Sequence, residues 1–161
     1  MKALKIIAAF VIPFVLISSK CKQAKTEGFV QEAKVQTTNG GVYGSGSTTN
    51  YSVLFSNEVK DTLVFDSILI DAGNNKVYKR VANQNGWGLR KIKNGQLYFD
   101  VRFLSGERVQ ADGTIEFVEI PTYSKPEIMG KNQAVIFGRY GKKEALIQIE
   151  KFELIETVNM P

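Results

Sequence analysis

The sequence predicts an all-β protein: an antiparallel, immunoglobulin-like β-sandwich of about seven to nine strands behind a cleavable signal segment. Three observations predict it. Apolar residues alternate with polar ones over short runs rich in β-branched and aromatic residues. Gly, Asn, Asp and Pro clusters separate these runs about every ten residues. Helical periodicity is nearly absent after the first twenty residues.

The elements follow in order. Residues 1–5 carry Lys2 and Lys5, and residues 6–17 hold no charge and one proline, Pro13. A basic start followed by a short apolar run has the form of a secretory signal. The run is shorter than the roughly 20 residues a membrane-spanning helix needs. Residues 1–20 are therefore expected as a signal peptide. Residues 21–28 contain Cys21 and a polar stretch, KQAKTEG, expected as a tether. Residues 29–161 are expected as one domain.

Within that domain, 29–36 is the first expected strand. Residues 50–56, NYSVLFS, put Tyr51, Val53 and Phe55 on one face. Residues 61–70 and 76–82 flank DAGNN, a turn cluster. Residues 89–93 and 96–104 flank Asn94-Gly95, the strongest short hairpin signal, because a type I′ turn needs positive φ at both central positions. Residues 107–110 and 114–120 flank ADG, and 133–140 and 144–158 flank GKK. One long connection, residues 121–132, is expected to be the crossing loop of a Greek key. In the final run Ile147 and Ile149 share one parity, then Phe152 and Leu154 continue on the other. Ile115 and Phe117 likewise give way to Val118 and Ile120. Such steps suit strands that bulge, bend or pass between sheets.

Composition narrows the chemistry. The 161 residues carry 21 Lys+Arg and 16 Asp+Glu, a net charge of +5. Lys2, Lys5 and Lys20 precede Cys21, which leaves the remainder at +2. Its most basic stretch, residues 79–93, is interrupted by Gly and Asn. It reads as solvated strand ends and not as a nucleic-acid surface. There is no histidine, and Cys21 is the sole cysteine. That removes zinc sites of N and S ligands and a Ser-His-Asp triad, and the residues imply no cofactor. The run NGGVYGSGSTTN, residues 39–50, lacks the lysine and the following helix of a phosphate loop and reads as an irregular loop. DAGNN lacks the ligand order of a calcium loop. The NYS sequon at Asn50 bears only on a eukaryotic source.

Three classes of function stay open. A glycan-binding module would use the aromatics Trp87, between two glycines in QNGWGLR, and Tyr123, in the long Pro-rich connection. A hydrolase would use carboxylates such as Asp66 or Asp100, which glycosidases need in pairs. Asp66 and Asp71 are five apart, so one regular strand sends them to opposite faces. Asp100 alternates with Phe99 and Val101, so it points outward as an exposed pair with Arg102. The third class is a binding or structural module for a protein or glycan partner.

The basic start, the short apolar run, the small residues Ser18 and Ser19 and then Cys21 resemble the leader of bacterial lipoproteins. That resemblance implies that Cys21 becomes the first mature residue and carries lipid. It further implies a membrane-anchored protein of the cell envelope, with a small β-sandwich domain of the kind borne on such anchors.

Overall fold

The computed structural model describes residues 24–40, 45–59, 62–81 and 96–160 in full, and the backbone of 87–91. Cys21 lies outside the described residues. Among those described there is no α-helix, and the chain is all-β with twelve strands. The expectation of about seven to nine strands is exceeded partly because the chain's last segment adds two strands of only two residues each.

The strands form two sheets. In the first, β1 (Val30–Asn39), β2 (Ser45–Phe55) and β6 (Leu97–Val109) are neighbours. β5 (Trp87–Lys91) and β7 (Ile115–Val118) pair with β6. β11 (Glu153–Leu154) and β12 (Val158–Asn159) pair with β1. In the second sheet the order is β10 (Lys143–Ile149), β9 (Ala134–Tyr140), β3 (Leu63–Gly73), β4 (Lys76–Val81), β8 (Thr122–Ser124). Pairing is antiparallel except that β11 and β12 run parallel to β1.

The expected alternations build a shared core. Val53, Phe55, Leu97, Phe99, Val101 and Phe103 come from the first sheet. Leu63, Phe65, Ile68, Ile70, Ile136, Ile147 and Ile149 come from the second and join the same cluster. The rings of Phe55, Phe65 and Phe99 meet across it with centroids 5.4–6.2 Å apart. Burying side chains of this size contributes about 1.5–3 kcal/mol each. A second, smaller cluster lies on the outer face of the second sheet. There Val77, Val135 and Met129 are buried, with Leu69, Phe137 and Leu146 packed against them.

Several expectations need correction. Residues 96–104 and 107–110 form one strand, β6, because a bulge lets the chain continue. At that bulge Gly106 has φ 96° and faces Gly46, whose φ is 67°. A Cβ on Gly46 would lie 2.8 Å from the Ser105 carbonyl oxygen, so β2 and β6 approach too closely there for a side chain. The supposed irregular loop 39–50 is half strand: Ser45 to Asn50 belongs to β2 and pairs with β6. The long connection is not the crossing loop. It holds β8 and a 3-10 turn (Glu127–Met129). Met129 from that turn plugs the outer cluster.

The chain instead changes sheets in short steps. One lies between Val118 and Thr122, another between Ile149 and Glu153. Both coincide with the expected breaks in alternation. The DAGNN turn between β3 and β4 is as expected, with Asn74 and Asn75 at positive φ, 50° and 58°, whereas the expected Asn94-Gly95 turn lies outside the described residues.

Ala24 to Thr26, read as tether, is held against the edge strand β10. The Ala24 amide donates to Glu144 O at 2.7 Å, and the Thr26 hydroxyl donates to Leu146 O at 2.6 Å. Ala24 itself packs on the main core.

Candidate functional site

The residues singled out from the sequence do not converge. Trp87 was expected on a loop, yet it opens the edge strand β5, opposite Val101 in the register. Its side chain lies outside what is described. Tyr123 was also expected on a loop and lies in the edge strand β8, opposite Val77. It is 53% exposed.

The carboxylates are separated as well. Asp66 occupies the bulge of β3, exposed on the outer side, 3.6 Å from Arg139. Asp100 lies in the other sheet. The sequence reading put it at the surface, but it is 3% exposed. Its parity is outward as expected. β6 is however a central strand, with β2 and β5 on its two flanks, so the carboxylate rises between paired strands and not at an open edge. The more exposed Arg102 lies 3.6 Å from it, and Ser52 stands opposite in the register. Asp66 and Asp100 therefore sit on the outer sides of opposite sheets, with the core between them.

Asp71 holds the best-defined polar geometry. Its carboxylate accepts from Lys125 Nζ at 2.7 Å and from the Gly73 amide at 2.9 Å. The Lys125 hydrogen bond, more than any other influence, holds its carboxyl below the usual carboxylate range. Beside it is a depression of about 340 Å³ lined by Val35, Tyr51, Asp71, Gln133 and Phe152. Tyr51 packs edge-on against Phe152 and Phe103, with centroids 5.1 and 5.9 Å away. Burial pushes its phenol above the ordinary value, so it stays protonated. This end of the sandwich offers an aromatic wall and an ionised carboxylate, a surface for binding. The alternation around Tyr51 was visible in the sequence. Its meeting with Asp71 and Phe152 was not, because three separate strands and crossings bring them together.

A second depression, also about 340 Å³, lies on the outer face of the second sheet between Ile128, Phe137, Leu146, Asp66, Arg139 and Glu144. A third feature is the arm formed by β7 and the end of β6. Val109 pairs with Ile115 and Glu107 with Phe117, so these four share one face. Phe117 is 65% exposed and Ile115 53%.

Among the described residues no group of three His, Cys, Asp or Glu is placed to hold a metal ion. No helix among them is long and apolar enough to cross a membrane. Comparison with family models, with curated proteins and with solved structures finds no match.

Proposed function

We propose that this chain is an exported cell-envelope lipoprotein, held to a membrane by lipid on Cys21. Its two-sheet domain would serve as a binding or structural module. In this reading the domain is of immunoglobulin-like type, which two sheets packed on one core support. The observation that carries the reading is positional. Ala24, three residues after Cys21, is bonded to β10, so the lipid would sit close to the sheeted domain. The basic and apolar leader precedes that point, as a removed signal would.

Two or more acyl chains give stable anchoring, whereas one gives only marginal binding. The test is incorporation of labelled fatty acid into wild type and Cys21→Ser. Label on the wild type alone is expected. Label that persists in the variant, or never appears, rejects the anchor.

A second reading, glycan binding, draws on the half-exposed ring of Tyr123 on an edge strand. Aromatic faces stack on sugars while their polar tips stay wet. A glycan array compared with Tyr123→Ala and Trp87→Ala separates the two readings: binding lost in either variant supports the glycan module.

A further inference from the structure

We infer that β7 is an acceptor strand: a partner protein adds to its open edge an extended segment that alternates apolar and basic residues, with a lysine or arginine opposite Glu116. The inference names a partner for the binding module proposed above and does not depend on a lipid at Cys21.

The open edge comes first. The Gln110 amide donates to the Thr114 carbonyl at 2.8 Å across the turn of the arm. Bonded and non-bonded pairs alternate along an antiparallel ladder. Arg108 and Glu116 are therefore a bonded pair, whereas Val109 with Ile115 and Glu107 with Phe117 are not. Ile115 and Phe117 thus turn their amides and carbonyls away from β6. Among the described residues no strand pairs with β7 on that side. Such a row of backbone groups is a template for another strand.

The side chains set what the added strand must carry. Ile115 and Phe117 stand exposed on one face, with Val109 beside Ile115. They call for apolar residues at the two positions that bond to them. Glu116 is exposed on the opposite face, so the position between those two should be basic. Opposite charges across a ladder attract and like charges repel. Residues 106–119 carry four exposed acids, Glu107, Asp112, Glu116 and Glu119, against one base, Arg108. Arg102 and Arg80, towards the root of the arm, are engaged elsewhere. Arg102 lies 3.6 Å from Asp100, and the Arg80 guanidinium lies 4.9 Å from the centroid of the Phe103 ring.

Two other occupants fit less well. A second copy could satisfy both ladder residues only with Ile115 opposite Phe117 of the other copy. That register sets two Glu116 carboxylates directly opposite each other, which destabilises the pair. Three exposed apolar side chains also fall short of the roughly 800 Å² per partner that a stable dimer buries. An anionic lipid surface would repel the same four acids.

The test uses the full chain and the peptide fluorescein-Lys-Val-Lys-Val-Lys-amide, read by anisotropy. One control peptide replaces every lysine by glutamate. Another N-methylates both valines, which removes the amides that the ladder needs. Binding of the first peptide alone is expected. It should weaken about fivefold in Glu116→Lys and in Phe117→Ser, and stay unchanged in Glu127→Lys, an exposed acid on the 3-10 turn. Amide hydrogen exchange at Ile115 and Phe117 should slow with the peptide bound. No binding, equal binding of either control peptide, or full binding by Glu116→Lys overturns the inference. So does a dimer in sedimentation that separates in Phe117→Ser. Fatty-acid labelling of Cys21 reads the anchor separately, so either result can fail without the other.

Discussion

The Lys125 ammonium donates to the Asp71 carboxylate at 2.7 Å and fastens the connection after β8 to the end of β3. The Lys125 amide adds a second tie, to the Asn75 carbonyl at 3.0 Å. Together they seat the segment that delivers Met129 to the outer cluster.

A pH dependence follows from this pair. The Asp71 carboxyl is depressed in the folded state, first by Lys125. The unfolded carboxyl titrates near 3.9. The stabilisation is therefore present above about pH 4 and is lost as pH falls through the lower folded value. Asp71→Asn should cost about 0.5–1 kcal/mol at pH 7. The difference from wild type should shrink at pH 3. Urea unfolding at both values checks this, and a pH-independent difference would refute it.

Gly138 stands opposite Phe65, next to the β3 bulge. A Cβ there would fall 2.2 Å from the Val64 carbonyl oxygen. Backbone cannot yield as a flexible side chain can. Gly138→Ala should destabilise by about 2–3 kcal/mol. Gly141→Ala tests the contrast: its site is open, but its φ is 63°, so it should lose about 1 kcal/mol. Thermal unfolding of the two variants should rank them in that order.

Phenylalanines offer a second contrast. Phe99 is fully buried in the shared core, and Phe99→Ala should cost about 3–5 kcal/mol. Phe117 is mostly exposed on the arm, and Phe117→Ser should stay within about 0.5 kcal/mol of wild type. A large loss at Phe117, measured by denaturant unfolding of the isolated protein, would mean that the arm is covered in solution.

Local signals in the sequence carried the turns at Asn74-Asn75 and Gly141 and most of the core. Asn74-Asn75 and the Gly141 turn sit where turn chemistry put them, and the Leu97 to Phe103 alternation is buried as read. The parity break between Ile149 and Phe152 marked a real change of sheet. What failed depended on neighbours distant in sequence. The parity of Asp100 was right and its exposure wrong, because period two reports a face and not what flanks it. Ile115 and Phe117 follow a strand pattern yet lie on an arm with neither face packed on the core. The residues around Asp71 come from four segments, and no spacing along the chain announces their meeting. The parallel pairing of β11 and β12 on β1 was invisible for the same reason.

That pairing joins the opening strand to segments about 120 residues further along: Lys34 to Glu153, Thr38 to Val158. The Thr26 hydroxyl reaches Leu146 over the same sequence separation. Contacts this remote make for slow folding, because the loop between them must close first. Until the last segment arrives, β1 stands with one row of amides and carbonyls unpaired. A chain cut before Glu153 would keep that row bare, a template on which another copy could add a strand. The few residues of β11 and β12 thus act as a guard against aggregation, out of proportion to their length.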